Sequence, residues 1–160
     1  MRKILLITML LLSFVGVTYA KIADEHFAIG GICVGQTPAQ VKAIYGIPVR
    51  TSGPFWFYNK TDNTKFEIFF ENNVVDHIRT AGNTGLATPS GIVVGSTKDD
   101  VVGAYGQPDL LIKGGGFKTH PDSQFYRYFP VSGRTFWLTF EIRYGKVLNM
   151  EVATYQNLER

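Results

Sequence analysis

The sequence is poor in the residues that carry most protein chemistry. Its 160 residues include one cysteine, Cys33, and three histidines, His26, His77 and His120. A single thiol excludes an intramolecular disulfide. Cys33 stands in an apolar stretch, where free cysteine packs as a small hydrophobe, so a buried, inert thiol is expected. None of the histidines has a second His, a Cys or a carboxylate at a metal-binding spacing, so no metal and no cofactor is expected. No nucleophile elbow is present. Gly114-Gly115-Gly116 is followed by Phe117, where a phosphate loop needs a glycine before its Lys-Thr pair. Glu67, Glu71 and Glu141 fall on the outer faces of expected strands, where charges are ordinarily solvated. Together these absences argue against an enzyme.

Charge of one sign is scarce as well. The formal net charge is +3 from 16 basic and 13 acidic side chains, and leaving out Arg2 and Lys3 brings the basic count to 14. No electrostatic footprint for nucleic acid remains. Long apolar runs are missing after residue 17. Before it, Ile4–Val17 is broken only by Thr8, Ser13 and Gly16, with Arg2-Lys3 in front and Thr18-Tyr19-Ala20 behind. That is the pattern of a secretory signal peptide over 1–20, and the run is shorter than the roughly 20 residues of a spanning helix. The expected mature chain, 21–160, is one globular domain, exported to the periplasm or secreted, without an integral membrane segment.

What the chain does have is one stretch written twice. Residues 31–48 read GICVGQTPAQVKAIYGIP and residues 91–108 read GIVVGSTKDDVVGAYGQP, with nine of eighteen positions identical. Internal similarity of this kind bears on architecture before anything else. Thr37 and Thr97 are N-caps followed three residues later by Gln40 and Asp100, and Pro38 suits a first helical position. Val41, Ile44 and Tyr45, and in the second copy Val101, Ala104 and Tyr105, are spaced to line one helical face. Gly46-x-Pro48 and Gly106-x-Pro108 end the helices.

Strands follow each copy. Pro54–Tyr58 and Gln124–Phe129 are aromatic and extended. Lys65–Glu71 and Thr135–Arg143 alternate, turning at Asn72-Asn73 and Tyr144-Gly145 into Val74–Thr80 and Val147–Thr154. The expected fold class is therefore α+β: two tandem repeats, about 30–82 and 90–154, each a short helix followed by about three antiparallel strands. Both helices are expected on one face of the sheet. Residues 81–90 and the glycine-rich loop after residue 113 read as connections, and 21–29 as a polar lead-in.

The aromatic share, 14%, is high. With Phe136, Leu138, Phe140 and Ile142 under the helices, Trp137 points to the other face, and the same alternation sends Phe69 outward. Arg127 and Phe57 fall on that face in the matching register. Exposed aromatics with arginine nearby have the composition of a protein-binding surface. The alternative is packing of these rings on one another across strands.

The duplicated G-I-x-V-G-x-T-x-x-x-V-x-x-x-Y-G-x-P, each copy leading into an aromatic antiparallel sheet, resembles the β-lactamase-inhibitor-protein-like superfold. It is similar also to the SmpA/OmlA family of small outer-membrane proteins. The resemblance implies two helix-plus-sheet halves joined in one concave sheet that grips a protein partner with aromatic side chains, here Trp137, Phe69, Phe57 and Arg127. It departs from both models, since this chain can form no internal disulfide and lacks an anchoring cysteine after residue 20. The function expected is an exported, non-enzymatic binding module for a protein partner. The alternatives are a structural envelope or outer-membrane assembly factor and, behind it, a hydrolase.

Overall fold

The structure, a computed structural model, describes residues 22–59, 64–115, 120–133 and 135–154. The expected signal peptide lies outside them, as does the middle of the glycine-rich loop.

The lead-in is more ordered than its polarity implied. A 3-10 turn over Asp24–His26 delivers Phe27 into the core, and β1 (Ala28–Ile29) pairs with β2 (Ile32–Cys33) around Gly30-Gly31. Both glycines have positive φ, as a two-residue hairpin turn requires. Helix α1 (Pro38–Tyr45) follows, then β3 (Arg50–Ser52), β4 (Phe55–Phe57), β5 (Lys65–Glu71) and β6 (Val74–Ala81). After the connection come α2 (Lys98–Tyr105), β7 (Leu110–Lys113), β8 (Gln124–Tyr128), β9 (Phe136–Arg143) and β10 (Lys146–Thr154).

Both helices are made locally, as their caps imply. Thr37 Oγ1 accepts from Gln40 N while Gln40 Oε1 accepts from Thr37 N, and Thr97 and Asp100 repeat the exchange. The Asp100 carboxyl is held below its ordinary value, first by the Thr97 backbone N–H and then by its hydroxyl. Each helix buries a narrow line, Val41 with Tyr45 and Val101 with Tyr105, rather than the wider face expected. Ile44 and Ala104 are exposed, because an eight-residue helix lying on a sheet reaches it only through side chains one turn apart.

The α+β expectation of two helix-plus-three-strand repeats is corrected. Strands dominate, and they form one continuous antiparallel sheet of eight, in the order β3-β4-β5-β6-β10-β9-β8-β7, beside the small β1-β2 sheet. Two things overturn the repeat architecture. The short segments after the helices, Arg50–Ser52 and Leu110–Lys113, are themselves strands, closing the two outer edges. Strand β10 then pairs with β6 through Met150↔Thr80, Glu151↔Arg79 and Val152↔Ile78, so neither part has a sheet of its own.

The core lies between this sheet and a layer made of α1, α2 and the β1–β2 hairpin. A single row, Trp56–Ile68–Ile78–Val152–Leu138–Tyr128, crosses six strands on the covered face. Ile68, Ile78, Leu138 and Val152 are fully buried, each contributing about 1.5–3 kcal/mol relative to exposure. Tyr45 packs edge-on against Phe66 at 4.9 Å, and Tyr105 sits 5.3 Å from Phe140. The turns entering the helices are strapped to the sheet: Gly35 N donates to Val75 O and Gly95 N to Val147 O, both at 2.8 Å. Cys33 is half-buried, and burial pushes its thiol up.

Candidate functional site

The other face of the sheet is left bare by the helices, and strand register decides what stands on it. Directly opposed residues share a face. The register carries one line across all eight strands: Arg50, Phe57, Glu67, Arg79, Glu151, Thr139, Arg127, Leu110. Charges along its middle alternate in sign, so each carboxylate has a cation on a neighbouring strand. A parallel line holds Ser52, Phe55, Phe69, His77, Ala153 and Trp137.

The first line is knit together electrostatically. Arg50 lies over the Phe57 ring at 3.7 Å, and Arg127 Nε donates to Thr139 Oγ1 at 3.1 Å. His77 Nε2 sits 3.5 Å from Glu151 Oε2. Burial alone would raise the Glu151 carboxyl. The close approach of His77, with the charges of Arg79 and Arg127, outweighs it and holds the carboxyl below its ordinary value.

The four residues expected on this face all fall on it, but not as one patch. Phe57 and Phe69 are half-buried and belong to a cluster with Phe55, whose ring is 4.8 Å from Phe69 and 6.5 Å from Phe57. Phe55 itself is 43% exposed. Trp137 and Arg127 sit on β9 and β8, with β6 and β10 between them and the phenylalanines, a gap of four strand spacings or about 19 Å from β4 to β9. Trp137 is only 2% exposed, not the presented anchor the alternation implied. Its indole lies under the Arg127 guanidinium, 4.5 Å away. Alternation gives a side chain's face; it does not give what covers it.

Arg50, Phe55, Arg79 and Glu151 belong to this face and went unnoticed as site residues. Arg50 sits on a strand too short and polar to announce itself, whereas Phe55 lies two residues from Phe57 on the aromatic strand and shares its face by the same alternation. Arg79 and Glu151 become neighbours only through the β6–β10 pairing, which no local pattern encodes. A small hollow is lined by Phe55, Glu67, Phe69, His77 and Arg79, at the junction of the phenylalanine cluster and the charged line.

A larger cleft of about 670 Å³ lies on the opposite side, near the end of α1, lined by Tyr45, Ile47, Val49, Tyr58, Phe66 and Leu86 among others. Its tyrosine hydroxyls are committed to the fold, Tyr45 to Gly30 O at 2.5 Å and Tyr58 to Gly46 O at 3.1 Å, and burial pushes both up. Its size alone does not make it the stronger candidate, because none of its lining residues carries a charge. Among the described residues no group of three or more His, Cys, Asp or Glu is placed to hold a metal ion. No helix among them is long and apolar enough to cross a membrane.

No family model matches the chain, and no curated protein matches it. Among solved structures, its fold is similar to an extracellular protein containing an SCP domain from Bacillus anthracis str. Ames. That match has a TM-score of 0.54 at 15% identity, covering 79% of this chain and 46% of that one. It is similar also to a cysteine-rich secretory protein from Staphylococcus aureus subsp. aureus Mu50, with a TM-score of 0.52 at 12% identity, covering 78% and 46%. The chain thus spans under half the length of either. These likenesses correct the resemblance drawn from the duplicated motif: the structural neighbours are SCP-domain and cysteine-rich secretory proteins, not β-lactamase-inhibitor-like or SmpA/OmlA proteins. The motif encodes a capped helix and its stop, a local device that different folds can share.

Proposed function

We propose that the chain is an exported, non-enzymatic binding module that takes a protein partner on the bare sheet face, at its β4–β5 end. The observation that carries this reading is the cluster of Phe55, Phe57 and Phe69, partly exposed and backed by the Arg50 guanidinium. Aromatic rings held rigid by one another, next to arginine and rimmed by charge, match the anchors of protein interfaces. Trp137 serves in this reading as a support that fixes Arg127, not as a contact. Export is supported by the signal-peptide pattern of residues 1–20 and by the extracellular and secretory descriptions of the two structural neighbours.

The test is capture by immobilised protein from an envelope extract, with the retained protein identified by mass spectrometry. The double variant Phe57→Ala, Phe69→Ala is compared with Ile47→Ala on the opposite side. A retained protein lost with the phenylalanines, kept with Ile47→Ala, and paralleled by unchanged circular dichroism supports the surface. Retention equal in all three sinks it.

A further inference from the structure

The two outer edges of the sheet are chemically opposite. Strand β3 presents Arg50, Thr51 and Ser52, a short polar edge followed by Gly53-Pro54, as edges that avoid pairing usually are. Strand β7 presents Leu110, Leu111 and Ile112, which are 42%, 46% and 37% exposed, and then Lys113. Among the described residues it is bonded to β8 on one side only. Its other side offers a row of backbone donors and acceptors flanked by apolar side chains, which is a template for one more strand.

The sequence of this edge selects its occupant. Asp109-Leu110-Leu111-Ile112-Lys113 is acidic at one end, basic at the other and apolar between. Read antiparallel against itself and centred on Leu111, it sets Leu111 opposite Leu111, Leu110 opposite Ile112, and Asp109 opposite Lys113. Every position meets a complementary one, and both ion pairs form at once about a two-fold axis. Asp109 Oδ2 already accepts Phe129 N at 2.8 Å, which fixes the carboxylate beside the edge, and a carboxylate has room for a second donor. We infer that β7 pairs with β7 of a second copy of this chain, in that register, joining two eight-stranded sheets into one of sixteen. The contact is small, so the dimer is a weak, rapidly exchanging one.

Sedimentation velocity of the purified protein from micromolar to millimolar concentration is expected to show a monomer–dimer equilibrium. Leu111→Lys sets two like charges face to face on the axis and weakens the dimer by about tenfold or more. Thr51→Lys on the other edge leaves it unchanged. A second measurement reads the register without destabilising the pair. In a Cys33→Val background, Leu111→Cys places two thiols on strands whose opposed Cα atoms are about 4.5–5.5 Å apart, within disulfide range. Oxidation is expected to link Leu111→Cys chains in pairs and to leave Leu110→Cys and Thr51→Cys chains single. A protein that stays monomeric throughout overturns the inference, including one that instead takes an extended peptide of another protein along β7. A dimer indifferent to Leu111→Lys, or one linked through position 110 or 51, overturns it equally.

Discussion

The Arg127 guanidinium lies 4.5 Å from the centre of the Trp137 ring while its Nε donates to Thr139 Oγ1, so one side chain of β8 ties down two residues of β9. Removing that side chain by Arg127→Ala is expected to uncover the indole. In a Trp56→Phe background, the remaining tryptophan emission should shift to the red and become more readily quenched by acrylamide. The accompanying loss of stability is about 1 kcal/mol, from the cation–ring contact and the arginine's apolar stem. Unchanged emission would mean that Arg127 does not cover Trp137.

Glu151 predicts a dependence on pH. Its carboxyl is held below its ordinary value in the folded chain because His77, Arg79 and Arg127 surround it, despite the opposing effect of burial. A lowered folded-state value stabilises the fold at pH above the unfolded-state value, and that contribution disappears as pH falls through the folded-state value. Melting temperatures of the protein and of Glu151→Gln should therefore differ most near neutral pH and converge in acid, as pH falls through the lowered folded-state value. Parallel curves across that window would refute the assignment.

Two tyrosines make the same bond in different surroundings. Tyr128 donates to Gly106 O at 3.0 Å from a fully buried ring, whose hydroxyl burial pushes well up, and Tyr58 donates to Gly46 O at 3.1 Å near solvent. Tyr128→Phe removes a bond made from a fully buried ring to a part-buried carbonyl and should cost about 1 kcal/mol, whereas Tyr58→Phe should cost about half a kcal/mol or less, since water can replace the hydroxyl. Urea denaturation of both variants checks the difference, and equal losses would contradict it.

Gly30 cannot be replaced quietly. Its φ is +59°, and a Cβ there would run into the Tyr45 hydroxyl and the Leu86 side chain. Gly30→Ala should destabilise by about 2 kcal/mol, combining backbone strain with loss of the Tyr45 bond. Gly31→Ala, also at positive φ but with open space around its Cβ position, should cost less. Thermal melts of the pair separate the strain from the clash.

These residues mark what the sequence disclosed and what it withheld. The Thr37–Gln40 and Thr97–Asp100 boxes, and the turns at Asn72-Asn73 and Tyr144-Gly145, are local, so a few adjacent residues decide them. Lys65–Glu71 was legible to the residue because its alternation is unbroken. Arg50–Ser52 and Leu110–Lys113 were not, since three or four residues without alternation carry no strand signal, and a strand partner makes them strands. The β6–β10 pairing joins Ile78 to Val152 across more than seventy positions, beyond any periodic reading. The site divided the same way. The face of Phe57, Phe69, Arg127 and Trp137 followed from alternation, while the burial of Trp137 and the charged line through Arg79 and Glu151 depended on tertiary neighbours.

The seam between β6 and β10 also has a bearing on how the chain can be divided. Every strand from β3 to β6 precedes the connection at 82–97, and every strand from β7 to β10 follows it. Beyond the seam, the lead-in reaches across as a clasp, through the Ile22–Pro130 bridge and the Phe27–Phe136 ring pair. A chain cut at the exposed Gly85 would yield two pieces with complementary open edges and a latch, the makings of a split reporter whose halves recombine when brought together.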